Sequence, residues 1–318
     1  MQAAVFTQYG PPEVLQLKTV AQPAPKAGEI LIKVQAAAVN SADSRLRRAN
    51  PFVVRLFFGL FRPKKHILGH VFSGEVVATG AAASRFQPGD AVFGTTGMKL
   101  GAFAEYLCLP EQAPLALKPE NLSHAEAAAL PFGGLTAWHF LQKAAIQPGQ
   151  KVLIYGASGA VGTAAVQLAK QLGAEVTGVC SASNADLVHS LGAAHVIDYA
   201  QTDFSAAGPI YDVVFETVNK APVAACLAAL KPKGVLVLGS AMLKEALHGV
   251  WASMTTDKKV LAGVAAEKPE DLLYLKQMAE SGVLKAVIEQ TYPLAQIVAA
   301  HRHVDGGHKK GNVVVRMQ

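Results

Sequence analysis

Two rhythms of apolar and polar positions divide the chain. From Gln2 to about Pro119, short β-rich runs such as Ile30-Leu31-Ile32-Lys33-Val34, Gly74-Glu75-Val76-Val77-Ala78 and Ala91-Val92-Phe93 are broken by turn residues, among them Pro11-Pro12 and Gln87-Pro88-Gly89-Asp90. This punctuation predicts a compact antiparallel β domain. After Pro119 the pattern changes. Ser123-His124-Ala125-Glu126 has the form of a capping box opening an Ala-rich helix, and from Lys151 strands alternate with helical stretches. The pattern places strands at Lys151–Tyr155, Glu175–Val179, His195–Ile197, Asp212–Phe215 and Val235–Leu238, with a helix at Ala160–Leu172. Such alternation predicts an α/β fold with a doubly wound parallel sheet. Another helix begins near Pro269, and the closing run Asn312-Val313-Val314-Val315-Arg316 predicts a tail that returns to the first domain. The expected domains are 1–119, 120–265 and 266–318, the last completing the first.

A length of 318 residues with 51% hydrophobic content suits two packed domains and argues against disorder. No uninterrupted apolar run approaches the roughly 20 residues needed to cross a bilayer. The opening Met1-Gln2-Ala3-Ala4-Val5-Phe6 has the look of neither a signal nor a transit peptide. A soluble, cytoplasmic protein with no stable membrane insertion is therefore expected. Three scattered cysteines, Cys108, Cys180 and Cys226, offer neither a disulfide framework nor a metal knuckle. Cys108, within Tyr106-Leu107-Cys108-Leu109, reads as a buried strand residue. The net charge of +6 is concentrated between Arg45 and Lys65, so it does not by itself predict a nucleic-acid partner.

The main candidate for chemistry is the segment Gly156-Ala157-Ser158-Gly159-Ala160-Val161-Gly162, lying between the β run Val152–Tyr155 and an apolar-spaced helix. A strand-turn-helix of this kind needs small residues, because the turn is tight and the backbone must approach a pyrophosphate closely. The helix N-terminus then offers free N–H groups and its positive dipole end. Ala157 replaces the first glycine of the usual G-x-G-x-x-G, so the setting carries the reading more than the letters do. After the second strand, an Asp or Glu would pair with the ribose 2′-OH of NAD and repel a 2′-phosphate. Val179-Cys180-Ser181-Ala182-Ser183-Asn184 contains no acid, which favours NADPH. Ser181, Ser183 and Asn184 offer donors to phosphate, and the same residues read equally as a polar loop and helix N-cap.

These features, with Ser190-Leu191-Gly192-Ala193, Val196-Ile197-Asp198-Tyr199, Gly101-Ala102-Phe103-Ala104-Glu105-Tyr106 and Leu135-Thr136-Ala137-Trp138, resemble the medium-chain dehydrogenase/reductase superfamily. The likeness is to its zinc-independent, quinone-oxidoreductase-like branch, the zeta-crystallin type. The resemblance implies a Rossmann domain inserted in a split GroES-like catalytic domain, and a homodimer. It also implies 2′-phosphate contacts at Ser181 and Tyr199, with Asn184 standing where bacterial quinone reductases tend to carry Lys. Thr136 matches the family position near the nicotinamide, Thr217 the position after the fourth strand, and Gly239-Ser240 the backbone beside the nicotinamide ring. Ser158, Gly159, Ala160, Val161 and Gly162 would form the phosphate turn.

Zinc-dependent members of the superfamily hold their metal with an early Cys and a Gly-His-Glu motif. Here Gly69-His70 is followed by Val71, and Asn40-Ser41-Ala42-Asp43 stands in place of the Cys stretch. No zinc is expected, and His70 reads as a packed or hydrogen-bonded histidine. Without a Lewis acid, hydride transfer to a quinone or an α,β-unsaturated carbonyl is the natural chemistry. By the resemblance Asn40 lies near the nicotinamide and donates to a substrate carbonyl; the alternative is an Asn that completes a turn. Asp43 either orients it or caps the following helix. A zinc-free alcohol or aldehyde dehydrogenase and an NADPH-binding protein with little turnover remain open.

One stretch has no place in this scheme. Between Ser44 and Gly74 there is no acidic residue, yet Arg45, Arg47, Arg48, Arg55, Arg62, Lys64 and Lys65 alternate with Phe52, Phe57, Phe58 and Phe61. Three readings apply: an apolar lid over the substrate, a helix whose Phe residues pack on the β domain while its cations stay solvated, or a basic surface touching anionic membrane. The second is slightly favoured. His301, His303 and His308 read as a solvated helix end and loop.

Overall fold

The computed structural model describes residues 1–239 and 256–317. In chain order the first part carries strands β1 (Gln2–Val5), β2 (Gln16–Thr19) and β3 (Glu29–Val39), helices α1 (Ser41–Arg48) and α2 (Val54–Phe58), then strands β4 (Val71–Thr79), β5 (Ala91–Thr95), β6 (Tyr106–Pro110) and β7 (Leu115–Leu117). Helix α3 (His124–Ala144) leads to β8 (Lys151–Tyr155), α4 (Ala160–Gln171), β9 (Glu175–Cys180), α5 (Ala185–Ser190), β10 (His195–Asp198), β11 (Tyr211–Glu216), α6 (Val223–Ala228), β12 (Leu230–Leu238) and β13 (Lys259–Ala262). The chain closes with α7 (Pro269–Glu280), β14 (Ile288–Pro293), α8 (Ile297–Asp305) and β15 (Asn312–Arg316).

Two compact units result. The first comprises 1–132, 267–281 and 286–318, and the second 133–266 with 282–285. Helix α3 opens as its sequence indicates, with the Glu126 carboxylate accepting from Ser123 N (2.8 Å) and Oγ (2.7 Å). The division falls within this helix, after Phe132.

In the first unit seven strands form one sheet, ordered β14-β15-β3-β4-β5-β7, with β6 paired to β3. The tail returns as its pattern predicts: β15 runs antiparallel to β3, pairing Val313 with Val39. Alternating apolar positions fill the core with Ile30, Ile32, Phe72, Phe103 and Leu109, and each fully buried Phe contributes about 2–3 kcal/mol. Ala36, Ala38, Val71 and Val314 on the sheet pack against Ala125, Ala128 and Ala129 of α3, where small side chains permit a close helix.

In the second unit six parallel strands are ordered β10-β9-β8-β11-β12-β13. Read as strands one to six of this unit, that order is 3-2-1-4-5-6, whose reversal beside the first strand opens a ligand crevice at the carboxyl ends. A second core, including Leu153, Val179, Val214 and Leu236, supports this sheet.

The basic and aromatic segment departs from expectation. Phe58 packs on the first core, but Phe52, Phe57 and Phe61 are exposed, as are Leu56 and Leu60. The packed-helix reading fails because α2 spans only five residues, too few to turn several Phe side chains onto one face. Arg47 departs in the other direction. It is fully buried, donating from Nε to Gly10 O (3.2 Å) and pairing with Asp305 at 2.5 Å. His301 is not solvated either: it is completely buried, edge-on to Phe103, because α8 turns that side into the core. His303 bonds Tyr292 and Glu289, and His308 is exposed.

Candidate functional site

In the second unit, β8 feeds the turn at Gly156. Gly156 has φ +80°, and an added Cβ would lie 2.7 Å from both Thr217 Oγ1 and Val218 Cγ1. Gly162 is more restrictive, since its Cβ would lie 2.1 Å from Gly156 O and 2.7 Å from Ala157 Cα. The Gly162 contacts are with backbone, which cannot give way, and those of Gly156 are with the side chains of Thr217 and Val218, so the turn closes only around glycine. Helix α4 begins at an extended Gly159 with no side-chain cap, and its first internal bond runs from Thr163 N to Gly159 O (2.8 Å). The leading amides of Ala160, Val161 and Gly162 are thus left for a ligand, at the positive end of a 12-residue helix.

Three further elements converge on this turn. Asn184, beyond β9, donates from Nδ2 to Ser158 Oγ at 3.0 Å, while its buried Oδ1 has no hydrogen-bond partner. Ser181 and Ser183 pair through their hydroxyls at 3.1 Å on the open side. Thr217, at the end of β11, donates to Tyr155 O (2.8 Å). Thr217, Asn184, Ser158 and the α4 amides therefore share one end of the sheet. Tyr199 follows β10, half exposed, with its N–H bonded to Cys180 O (3.2 Å). Tyr155, Tyr199, Gln201, Thr202, Asp203 and Phe204 line a cavity of about 310 Å³. Gly239 caps β12 against Phe215, and Ser240 lies outside the described residues.

Two contributors escaped the sequence reading. Gly133 of α3 lies so close to α4 that an added Cβ would be 2.2 Å from Ala160 O. Thr136, one turn further along α3, lies on the same helical face as that contact. Glu216 is almost fully buried and accepts from Val218 N (3.0 Å), Asn219 N (2.7 Å) and Lys220 N (3.0 Å), which fixes the loop beside Thr217. Burial raises its pKa while these amides counteract the rise.

In the first unit, Asn40 caps α1. Its Oδ1 accepts from Ala42 N (2.9 Å) and Asp43 N (3.3 Å), and Asp43 Oδ2 accepts from Asn40 N (3.1 Å), a complete capping box. The Asn40 amide Nδ2 then faces His70 Nδ1 at 3.4 Å. Asp43 Oδ1 accepts from Gly69 N (3.2 Å) and stands 3.9 Å from the same His nitrogen. On the far side of the ring, Nε2 lies 3.9 Å from Glu267, whose other oxygen accepts from Thr95 Oγ1 at 2.6 Å. Phe132 packs edge-on to the imidazole. Burial alone would lower the His70 pKa, but Asp43 and Glu267 outweigh it and hold the value above that of a free histidine. Glu267 was not anticipated, being far from His70 in sequence.

A catalytic zinc needs about three protein donors meeting at one point, at roughly 2.0–2.3 Å. Here Asp43 and Glu267 address different nitrogens of one imidazole and do not meet with it at a point. Among the described residues no group of three or more His, Cys, Asp or Glu is disposed to hold a metal.

Comparison with known proteins identifies the family. The family described as the alcohol dehydrogenase GroES-like domain matches residues 26–120, and that described as zinc-binding dehydrogenase matches 191–315. A tomato 2-methylene-furan-3-one reductase is 33% identical, over 99% of this chain and 79% of its own length. The chain belongs to the medium-chain dehydrogenase/reductase superfamily, in its quinone-oxidoreductase-like branch. A spinach chloroplastic quinone-oxidoreductase homolog is likewise 33% identical, over 99% of this chain and 98% of its own. The solved quinone oxidoreductase of Coxiella burnetii superposes with a TM-score of 0.91 at 32% identity, covering 100% of this chain and 99% of that one. The chain is accordingly an oxidoreductase, with the GroES-like and Rossmann-like parts that the resemblance implies, from a family that works with nicotinamide cofactors.

Proposed function

We propose that this protein is an NADPH-dependent reductase that transfers hydride to a quinone or an α,β-unsaturated carbonyl without zinc. The observation that carries the reading is the acid-free end of β9, tied to the phosphate turn by the Asn184–Ser158 bond. An acid there would repel a 2′-phosphate, whereas Ser181, Ser183 and Tyr199 present hydroxyls. The β10 carboxylate, Asp198, accepts from Ala200 N at 3.1 Å. Support for the substrate class comes from the tomato and spinach relatives, whose names describe a reductase and a quinone oxidoreductase.

When bound, NADPH supplies the hydride. The amides of Ala160, Val161 and Gly162 would hold its pyrophosphate, Thr217 and Gly239 would shape the crevice around it, and Thr136 would lie at its nicotinamide end. Asn40 spends its carbonyl on the helix cap and keeps its amide N–H groups as donors beside His70. Quinone or enone reduction also consumes one proton, which solvent delivers. Zinc independence rests on Asn40 and Val71 at the metal positions and on the divergent carboxylates around His70.

Steady-state rates with NADPH and NADH test this against a quinone, an enone and a saturated aldehyde, with and without a zinc chelator. Quinone or enone turnover with NADPH that survives the chelator is expected. Turnover confined to the aldehyde, or abolished by the chelator, overturns the reading.

A further inference from the structure

Six of the thirteen exposed large apolar residues among the described ones fall within ten consecutive positions: Phe52, Val53, Leu56, Phe57, Leu60 and Phe61. Phe57 is 74% exposed and Phe61 83%. Soluble surfaces rarely leave this much contiguous apolar area in water without a partner.

The segment is built rather than loose. Phe58 anchors it in the first core, Tyr9 Oη donates to Gly59 O (2.8 Å), and Lys64 N donates to Phe58 O (2.7 Å). The Arg55 guanidinium lies over the Tyr9 ring at 5.0 Å and the Phe52 ring at 5.6 Å. Gly59 has φ +121°, and a Cβ there would lie 2.0 Å from Arg62 O, so only glycine makes the bend that turns Leu60 and Phe61 outward. Exposed Arg62, Lys64 and Lys65 border the apolar residues, and the chain carries no acid from Ser44 to Gly74.

We propose that residues 52–65 form a docking surface for an anionic phospholipid bilayer. Rings and aliphatic side chains enter the headgroup boundary while the cations meet lipid phosphates, the division of labour of an interfacial anchor. A second copy of the chain is the poorer occupant, because the patch packed on itself would bring Arg62, Lys64 and Lys65 of both copies together with no acid between Ser44 and Gly74 to meet them. The proposal does not depend on the reductase reading.

The test is co-sedimentation of the full chain with phosphatidylcholine vesicles and with vesicles containing equal phosphatidylcholine and phosphatidylglycerol. Partition onto the anionic vesicles is expected to be at least about tenfold stronger and to weaken with salt. The F52S/F57S/F61S and R62Q/K64Q/K65Q variants should each lose about tenfold or more while keeping the wild-type Tm. Equal binding to both vesicles, no binding to either, or wild-type binding by either variant would overturn the proposal. So would loss of self-association in the Phe variant with vesicle binding intact. If the Phe variant melts early, the Arg/Lys variant decides alone.

Discussion

The Gly156–Gly162 turn of the second unit and the His70 pocket of the first are both sites of close approach, reached by opposite means. The turn is made of backbone and excludes side chains: a Cβ at Gly162 would come within 2.1 Å of Gly156 O. The pocket is made of side chains drawn from positions 40, 43, 70, 95, 132 and 267, and its character is electrostatic. The turn therefore tolerates almost no change of shape, whereas the pocket should tolerate shape and respond to charge.

Gly162→Val gives the sharpest break in that contrast. It should cost about 3 kcal/mol or more of unfolding free energy and remove measurable NADPH binding by fluorescence titration. At Gly159 the nearest atom to an added Cβ is Gly156 O at 3.5 Å, so Gly159→Ala should cost under about 1 kcal/mol. Equal effects at both positions would dissolve the distinction.

Next in size is a pH effect within the first unit. Burial pushes the His301 pKa down to about 4, against an ordinary value of 6.5. On acidification the unfolded chain takes up this proton first, so stability falls as pH drops from about 6.5 towards 4. Roughly 2 kcal/mol should be lost between pH 7 and 5 in denaturant unfolding. The His301→Leu variant should flatten that slope even if its stability at pH 7 is lower; an unchanged slope rejects the assignment.

The smallest effect concerns His70, whose pKa moves the other way. Its contribution to stability is complete below the unfolded pKa and disappears as pH rises through the higher folded one. Glu267→Gln removes one of the two charges holding it up, so the His70 midpoint in an NMR titration should fall. A midpoint that stays in place assigns the whole effect to Asp43.

The same contrast explains what could be read from the sequence. Strand β8 and strand β15 were legible to the residue, and the α3 capping box was legible too, because each is fixed by neighbours within a few positions. Ser158, Asn184 and Thr217 lie at one end of the sheet, as their places after strands suggest, because strand order in a doubly wound sheet brings its carboxyl ends together. Glu267 and Gly133 were missed because each acquires its role from a partner remote in sequence. Arg47 meets Asp305 across 258 positions, and no local pattern signals such a pairing. His301 sat in a polar sequence, yet helical phase placed it in the core. Phe52, Phe57 and Phe61 erred in the reverse sense, since aromatic residues at irregular spacing imply burial until a short helix leaves them outside.

The bond between Asn184 and Ser158 has a further consequence for redesign. On the proposed function, it would link the loop expected to choose between the two forms of the dinucleotide to the loop expected to grip their common diphosphate. Exchanging cofactor preference is therefore a problem in two coupled variables: an acid introduced after β9 also disturbs the anchorage on which either form depends. Positions 158 and 184 are in contact, so their replacements should not be additive, and an NADH variant is best sought with both varied jointly.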